Sequence, residues 1–348
     1  MTPAPSLFQR PRLLIVGCGD VGMRLLPLVR DRFRVFAVTS NPDRCAELRL
    51  AGAMPIVADL DAPQTLARLS RLAPLVRDRF RVFAVTSNPE RCAELRAAGA
   101  IPIVADLDAP QTLARLSRLA RLVVHMAPPK GEGATDTRTR HLVGALRGGT
   151  QLVYLSTSGV YGDCKGELVT ETRTVAPHNP RARRRVDAER TLRAWGKRSG
   201  SQVAIIRVPG IYAADRLPMK RLADQAPALR EEDDVFTNHI HADDLARIVA
   251  LALFRARPGR VYHAVDDTRM KMAEYFDVVA DAFQVARVPR LARAELAAQA
   301  SLVTMSFMSE SRRLDNARIK MELGVRLRYP DVTTAVQAMA TAGAAAGR

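Results

Sequence analysis

The sequence lacks any apolar run that approaches the roughly 20 residues a helix needs to cross a membrane. Its opening residues, MTPAPSLFQRPR, hold no apolar stretch of the kind found in secretory signal peptides. We therefore expect a cytoplasmic protein that has no membrane partner.

Cysteine is scarce, with four residues in a chain of 348, at Cys18, Cys45, Cys92 and Cys164. They lie far apart in sequence, form no Cys-x-x-Cys pair and have no histidine cluster beside them. This spacing favours neither a disulfide framework nor a zinc site. We expect buried thiols and no bound metal.

Acidic residues are few relative to basic ones, at 36 against 53, which gives a net charge of +17. Such an excess would suit a nucleic-acid-binding protein, because clustered Lys and Arg release counterions from phosphates. Here the basic residues are spread along the chain, with one dense cluster at 181–185. No helix-turn-helix, zinc-finger or RNA-recognition signature accompanies them. We expect a solvated, arginine-rich surface and no nucleic-acid partner.

The chain contains an internal duplication, because residues 27–73 recur at 74–120. Three pairs of positions differ: Asp43 and Glu90, Leu50 and Ala97, and Met54 and Ile101. Solenoid proteins need about three or more repeats to bury a continuous core, so two copies do not indicate a repeat architecture. The near-identity indicates that one segment was copied once.

Each copy is predicted to form strand, helix, strand and helix, from its apolar runs, its Asn-Pro turn signal and its helical spacing. Strands that alternate with helices favour an α/β fold with a parallel sheet. Such a sheet needs only one copy before the strand predicted at 121–127. We expect one copy to dock in the sheet and the other to be extruded or added at the sheet edge. The sequence leaves open which copy docks.

A glycine-rich turn follows the first predicted strand. In RLLIVGCGDVGMRLL, Gly17, Gly19 and Gly22 lie between an apolar strand and a helical pattern, with Asp20 and Val21 inside the turn. The first glycine permits a tight turn, the second lets the backbone approach a pyrophosphate, and the third allows close helix packing. The pattern predicts a Rossmann-type domain that binds a dinucleotide; the alternative is a turn without a ligand.

The residues after the second strand indicate which dinucleotide binds. NAD sites usually carry an acidic residue there to hold the ribose hydroxyls. Here the position is polar or basic in both copies, with Ser40, Asn41 and Arg44 in the first and Ser87, Asn88 and Arg91 in the second. These side chains can bind a 2′-phosphate, so NADP is the predicted cofactor and NAD the alternative. A plain turn and a solvated arginine would also explain them.

Motifs along most of the chain occur in the order found in one family. They are LVYLSTSGVYGD (152–163), VAIIRVPGIYAADR (203–216), NHIHADDLA (238–246), VYHAVDD (261–267) and SRRLDNARIKMELGVRLRYP (311–330). Together they resemble the extended short-chain dehydrogenase/reductases, which include sugar-nucleotide epimerases and dehydratases. Leaving out one 47-residue copy leaves 301 of the 348 residues, an ordinary length for that family.

The resemblance implies a Rossmann-type, doubly wound parallel sheet and a smaller substrate lobe. The sheet domain would take residues 1–211 and 237–264, and the lobe 212–236 and 265–348. The resemblance also implies further cofactor contacts at Asp106, Leu107, Ala127, Pro128, Arg185 and Pro209.

Family members transfer protons with a Ser or Thr, a Tyr and a Lys, and the Tyr and Lys lie four residues apart on a helix. That spacing puts both side chains on one face, where the ammonium lowers the phenol pKa. Thr157 matches the Ser/Thr position. Counting back from Glu189, the Tyr and Lys positions fall on Arg181 and Arg185. Arginine stays protonated and cannot exchange a proton at neutral pH.

Other residues could replace the missing pair. Tyr161 and Lys165 have the same spacing, but the segment runs through a predicted turn; the alternative is that Tyr161 packs under the loop. His178, His239 and His241 are proton donors by residue type, although a lone histidine is more often structural.

Two functions are consistent with these residues. The first is an NAD(P)-dependent oxidoreductase or epimerase-like enzyme, in which Thr157 positions a substrate carbonyl. The second is a module that binds NADP to sense redox state or hold a partner without turnover, favoured by Arg181 and Arg185. Arg216, Lys220 and Arg221, with Asp215, would suit an anionic small-molecule substrate, although solvated charges also explain them. By analogy with the family, a homodimer paired through helices is a further expectation.

Overall fold

The structure is a computed structural model. It describes residues 12–16, 24, 25, 28, 34–39, 45–51, 53–57, 83–86, 101–104, 108, 113, 116, 121–299, 305 and 308–346.

The strands fall into one large sheet and several short pairs. Their bounds are β1 (Arg12–Val16), β2 (Arg34–Thr39), β3 (Met54–Val57), β4 (Phe83–Thr86), β5 (Ile101–Val104), β6 (Leu122–His125), β7 (Gln151–Thr157), β8 (Leu168–Val169), β9 (Gln202–Val208), β10 (Gly210–Tyr212), β11 (Ala228–Leu229), β12 (Phe236–Thr237), β13 (His239–His241), β14 (Val261–His263), β15 (Met270–Lys271), β16 (Arg290–Leu291) and β17 (Arg313–Leu314).

The helices are, in chain order, α1 (Cys45–Leu50), α2 (Thr137–Ala145), α3 (Pro180–Ser199), α4 (Met219–Ala223), α5 (Ala242–Arg255), α6 (Met272–Ala282), α7 (Arg293–Gln299), α8 (Ala317–Leu323) and α9 (Val332–Ala346). A short 3₁₀ turn spans Ser158–Tyr161, directly after β7.

The large sheet has seven strands in the order β3-β2-β1-β6-β7-β9-β14. The pairs β1–β2, β2–β3, β1–β6 and β6–β7 are parallel. The strands β6, β7 and β9 are rich in Val, Ile and Leu and are buried along most of their length, as expected for a parallel sheet covered on both faces. The strand order reverses between β1 and β6, and such a reversal is where doubly wound sheets bind ligands. The predicted α/β fold with a Rossmann-type parallel sheet is confirmed.

The two copies of the duplication supply different parts of the fold. The strands β2 and β3 of the first copy pair in the large sheet. The strands β4 and β5 of the second copy pair with each other, in parallel, in a separate two-stranded sheet. This pair lies beside β3, the edge strand of the large sheet.

The segment just before β6, however, comes from the second copy. Leu113 and Leu116 are buried, and Asp108 accepts hydrogen bonds of 3.3 and 3.1 Å from the guanidinium of Arg138, which is itself 1% exposed. The described residues of the first unit therefore include parts of both copies, with β2 and β3 from the first and the segment before β6 from the second. Near-identical copies permit this, because the β1 side can use the copy nearest to it in sequence and the β6 side can use the other.

The chain divides into two compact units. The first comprises Met1–Ser156, Arg183–Ile206 and Val249–Arg260, and the second comprises Thr157–Ala182, Arg207–Ile248 and Val261–Arg348. These boundaries differ from those drawn from sequence. The last residues of β7 and β9 belong to the second unit because they pack against other elements of that unit.

The core of the second unit is built around α6 and α9. Its buried side chains include Tyr212, Leu222, Phe276, Val279 and Val336. Among the helices that the structure describes, none is both long and apolar enough to span a membrane.

Candidate functional site

In the first unit, the carboxyl ends of β1, β6 and β7 lie at one edge of the sheet. Val16 is in register with His125, and His125 with Tyr154. Directly after β6 come Ala127, which is fully buried, and Pro128, which is exposed. Ligands of doubly wound sheets bind at this edge. The placement of Ala127 and Pro128 there is compatible with the predicted cofactor contacts.

Arg185 is held at the same edge by β7. One guanidinium nitrogen donates to the Tyr154 hydroxyl at 2.9 Å and to the Leu155 carbonyl at 2.8 Å. The positive charge of Arg185 adds to burial in lowering the pKa of His125 to about 3. Arg185 thus lies on α3 in the family's Lys position, and its side chain is hydrogen-bonded to β7.

Many of the predicted cofactor residues lie outside the described residues. They are Gly17, Gly19, Asp20, Val21, Gly22, Ser40, Asn41, Arg44, Ser87, Asn88, Arg91, Asp106 and Leu107. Their roles stay predictions.

The second unit contains a cavity of about 430 Å³. It is lined by Thr157, Ser158, Gly159, Asn179, Arg181, Ala182, Pro209, Gly210, Ile211, Tyr212, Arg216, Pro218, Arg221, Phe236, Thr237, Asn238, His239, Met272, Tyr275, Phe276, Met308, Glu310 and Arg312. A cavity of this size accommodates a small-molecule ligand.

The cavity brings together Thr157, Arg181 and Pro209, which are more than 20 residues apart in sequence. Thr157 ends β7, and its hydroxyl accepts a hydrogen bond from the Gly159 backbone at 3.2 Å, which fixes the side chain as the cap of the 3₁₀ turn. Arg181 lies in the first turn of α3. The positions that match the family's Ser/Thr and Tyr therefore line the same cavity.

Cationic side chains dominate the charged lining of the cavity, with four arginines and one glutamate. The Glu310 carboxylate is paired with Arg312 at 2.8 Å. Arg221 is half-buried, lies over the Phe276 ring at 4.8 Å and donates to the Pro227 carbonyl. Its Nε is buried without a hydrogen-bond partner among the described residues, and burial lowers the pKa of its guanidinium. This arrangement suits an anionic ligand, since a buried cation is stabilised by a counter-charge.

Of the other predicted substrate residues, Arg216 lines the cavity, whereas Asp215 and Lys220 do not. Lys220 is exposed and forms an ion pair with Asp224 at 2.7 Å. Of the predicted substrate residues, Arg216 and Arg221 are therefore the two that line the cavity.

Tyr161 does not line the cavity. It is 1% exposed, and its hydroxyl lies 2.6 Å from His263 Nε2 and accepts a hydrogen bond from Arg207 at 2.6 Å. The chain that follows is not helical, since φ is 65° at Gly162 and 52° at Lys165. The pairing of Tyr161 with Lys165 therefore lacks the helix that gives such spacing its meaning, and the side chain of Tyr161 is buried away from the cavity.

Replacing Tyr161 with Phe is expected to lower the free energy of unfolding by about 1–3 kcal/mol, because Arg207 and His263 would lose a buried hydrogen-bond partner. Urea unfolding measures this change. Tyr329→Phe is the control: its ring stacks on His241 with centroids 3.7 Å apart, a contact that Phe retains. Equal stability of the Tyr161→Phe variant and the parent would contradict a structural role for the Tyr161 hydroxyl as the partner of Arg207 and His263.

The three histidines occupy different environments. His178 is exposed and does not line the cavity. His241 is buried, and its Nδ1 accepts a hydrogen bond from the Asp243 backbone at 3.1 Å. His239 lines the cavity while only 4% exposed, and burial lowers its pKa to about 3, so its imidazole is neutral at pH 7.

Sequence reasoning missed Tyr212, Asp266 and Tyr275. Tyr212 and Tyr275 line the cavity, and burial raises the pKa of each phenol. Asp266 is 3% exposed and raises both of those pKa values further through its charge. The only sequence signal was that Tyr212 and Asp266 lie within the matched motifs at 203–216 and 261–267.

The fold and the cavity define an α/β protein with a Rossmann-type sheet and a second unit that contains a cavity. Residues 135–342 match the RmlD substrate binding domain, and residues 13–71 match the TrkA-N domain. The first match covers more than half of the chain. The protein therefore belongs to the RmlD substrate-binding-domain family, within the extended short-chain dehydrogenase/reductases, and the family predicted from the motifs is confirmed.

Two curated relatives are dTDP-glucose 4,6-dehydratases. The protein from Streptomyces niveus is 26% identical over 151 residues, which is 40% of this chain and 43% of that protein. The protein from Actinoplanes sp. is 26% identical over 136 residues, or 37% of this chain and 41% of that protein. The chain thus spans less than half the length of these relatives.

Solved structures share the fold over nearly the whole chain. A conserved protein of unknown function from Silicibacter pomeroyi is 24% identical with a TM-score of 0.65, covering 96% of this chain and 99% of that one. DesIV, a dTDP-glucose 4,6-dehydratase from Streptomyces venezuelae with NAD bound, is 20% identical with a TM-score of 0.60, covering 95% and 96%. UDP-glucose 4-epimerase from Thermotoga maritima is 13% identical with a TM-score of 0.63, covering 97% and 100%.

Proposed function

We propose that the protein is a nicotinamide-dinucleotide-dependent oxidoreductase of the epimerase/dehydratase type, which acts on a hydroxyl or carbonyl group of an anionic small molecule. The observation that carries the proposal is the arginine-lined cavity in which Thr157 lies. The substrate class that fits best is a sugar nucleotide, since its phosphates would meet the arginines and its sugar would meet Thr157. The curated relatives and two of the structural neighbours are enzymes named for such substrates.

In this proposal, residues of the chain bind and orient the substrate. Arg216 and Arg221 bind the anionic group, because guanidinium groups bind phosphate oxygens through charge-assisted hydrogen bonds. The Thr157 hydroxyl orients the reacting oxygen. A bound nicotinamide would supply or accept the hydride.

NADP is the proposed cofactor, and NAD the alternative. The edge formed by β1, β6 and β7 is where such a dinucleotide would lie, with the glycine turn after β1 at its pyrophosphate. Ser40 and Arg44, or their counterparts Ser87 and Arg91, would bind the 2′-phosphate. Arg185, held by Tyr154 and Leu155, would face the ribose or a phosphate.

Fluorescence titration with NADPH and NADH tests the cofactor assignment. We expect tight NADPH binding and weaker NADH binding. Equal binding of both would reject the 2′-phosphate contacts while leaving the dinucleotide site. Binding of neither would refute the proposal.

A second function is favoured by Arg181 and Arg185, which stand in the family's Tyr and Lys positions. In that case the protein binds NADP as a redox sensor or partner-binding module without turnover. NADPH oxidation in the presence of dTDP-glucose- or UDP-glucose-derived ketosugars separates the two functions. Substrate-dependent oxidation supports the enzyme, whereas NADPH binding with no oxidation supports the sensor.

Substituting Arg221 with Gln is expected to weaken the binding of UDP-glucose or dTDP-glucose by roughly 10- to 100-fold, the loss of one charge-assisted contact. Lys220→Gln is the matched control, because Lys220 is adjacent in sequence but lies off the cavity and pairs with Asp224. Isothermal titration calorimetry measures both. An equal loss in the two variants would indicate a general charge effect and contradict a specific anion site.

A further inference from the structure

At the cavity of the second unit lies a cluster of polar side chains with unsatisfied hydrogen-bonding atoms, two of which, Tyr212 and His239, line the cavity. Tyr212 Oη, His239 Nδ1 and Asp266 Oδ2 are all buried and have no hydrogen-bond partner among the described residues. The three side chains are 1%, 4% and 3% exposed. Buried polar atoms without partners are rare in native proteins, and each calls for an explanation such as a bridging water or a catalytic role.

The three residues are close together, although they are distant in sequence. The ring of His239 meets that of Tyr212 edge-on, with centroids 6.3 Å apart. The Asp266 backbone donates a hydrogen bond to the His239 carbonyl at 2.9 Å. The charge of Asp266 also raises the pKa of Tyr212, which means that the two groups interact electrostatically.

The unsatisfied atoms are chemically complementary. A protonated carboxyl donates a hydrogen bond, a phenol both donates and accepts, and the Nδ1 atom of a neutral imidazole accepts when Nε2 carries the hydrogen. One buried water in contact with all three would satisfy them, since such waters typically make about three hydrogen bonds. His239 lines the cavity, so its Nε2 is the nitrogen left for a bound ligand.

We propose that Asp266, Tyr212 and a bridging water form a proton relay to His239, which is the catalytic residue that exchanges a proton with the substrate oxygen. The relay takes the place of the Tyr and Lys that this chain replaces with Arg181 and Arg185. It rests on the proposed oxidoreductase function for its substrate.

Protons are conserved whether the relay serves reduction of a carbonyl or oxidation of an alcohol. In reduction, the carbonyl carbon accepts the hydride supplied by the nicotinamide, the C=O π electrons move to oxygen, and oxygen takes the proton from His239 Nε2. His239 Nδ1 gains a proton from the bridging water, which takes one from the Asp266 carboxyl, while the Tyr212 hydroxyl holds the water by a hydrogen bond. The imidazole and phenol end neutral, Asp266 ends as a carboxylate, and solvent reprotonates it. Oxidation of an alcohol runs the same steps in reverse.

The surroundings keep Asp266 protonated at neutral pH. Burial raises its pKa to about 8; hydrogen bonds from Thr268 oppose the shift, and the Asp267 and Asp331 carboxylates add to it. The titratable groups around it are Tyr212 on β10, His239 on β13, Tyr275 on α6, and the carboxylates Asp267 and Asp331. Burial and these two carboxylates disfavour the charged form of Asp266, although Asp267 is itself paired with Lys320.

Infrared difference spectroscopy of the full-length protein tests the relay without any substrate. We expect a protonated-carboxyl band that disappears as the pH passes about 8 and that is absent from Asp266→Asn. Asp281→Asn is the control, because Asp281 is exposed and paired with Arg287. A spectrum in which Asp266 is ionised at pH 7 would overturn the proposal.

Nitrogen NMR of the His239 ring tests whether the cluster is coupled. The Nδ1 shift should follow the Asp266 titration in the parent protein and should lose this response in Tyr212→Phe. An unchanged response in Tyr212→Phe would remove Tyr212 from the relay, and an Nδ1 that never responds would overturn the proposal.

Turnover distinguishes the relay from the proposed function. With a sugar nucleotide that the parent reduces, the rate should fall above pH 8, and Asp266→Asn should be slower by at least tenfold in kcat and lack this limb, with KM little changed. His239→Gln should be as slow as Asp266→Asn. Normal pH dependence in Asp266→Asn refutes the relay alone, whereas a parent that shows the spectroscopic coupling but turns over no sugar nucleotide refutes the proposed function.

Discussion

Deleting residues 74–120 is expected to leave the fold intact and to raise the melting temperature by a few degrees. The reason lies in the composite docking of the two copies. Residues 58–73 and 105–120 are identical, so removing 74–120 yields the same polypeptide as removing 58–104. The latter segment is the part that contains β4 and β5, which pair with each other and not with the large sheet.

The expected gain comes from closing a shorter loop. The deletion takes 47 residues out of the connection between β3 and the docked residues before β6. The loop is halved in length roughly three to four times over. This raises the free energy of unfolding by about 2 kcal/mol, which corresponds to a few degrees in melting temperature for a chain of this size. It also removes the strand edges of the β4–β5 pair, which are sites for aggregation.

Differential scanning calorimetry, with circular dichroism as the check on fold, measures the effect. The matched control is deletion of residues 27–73, which leaves the second copy. The two shortened chains differ at only three positions, one of which, Leu50, is 86% exposed. Both should therefore fold and melt at similar temperatures. A shortened chain that fails to fold would show that the surplus segment is needed.

Replacing Asp244 with Ala is expected to lower the free energy of unfolding by about 3–5 kcal/mol. Asp244 is 1% exposed, and its carboxylate accepts hydrogen bonds from the backbone of Arg328 and Tyr329, both at 2.8 Å. Arg247 adds an ion pair at 3.0 Å. Alanine would leave these two part-buried backbone donors without their acceptor and would remove the ion pair of Arg247.

Urea unfolding followed by circular dichroism measures this loss. Asp243→Ala is the control on the same helix, because its side chain is 36% exposed and lies 3.9 Å from His241 Nδ1. We expect that variant to lose less than about 1 kcal/mol, as is usual for exposed charges. Similar losses in the two variants would mean that the buried carboxylate does not anchor the segment before α9.

Local features of the sequence determined the class of fold. The apolar runs at 34–39, 151–157 and 202–208 became strands of the large sheet, since such runs bury both faces of a parallel strand. The ordered motifs predicted the family, and the helix through Glu189 was predicted to carry Arg181 and Arg185, which both lie on α3. These inferences depend only on residues that are neighbours along the chain.

Tertiary structure decided the rest. Two near-identical copies have the same local preferences, so their own sequences do not decide which residues dock. Tertiary contacts decide it, namely the pairing of β2 with β1 and the packing of the segment that leads into β6. Tyr161 and Lys165 have the spacing of a catalytic pair, but the turn after β7 buries Tyr161 against Arg207 and His263.

The cavity and its polar cluster have the same origin. Along the chain, 27 residues separate Tyr212 from His239 and another 27 separate His239 from Asp266, and no local pattern connects the three. His239 is brought beside Tyr212 because β10 pairs with β13, and beside Asp266 because the Asp266 backbone donates a hydrogen bond to the His239 carbonyl. The sequence by itself determined which residue types were available, whereas burial, which shifts the pKa values of His239 and Asp266, exists only once the chain has folded.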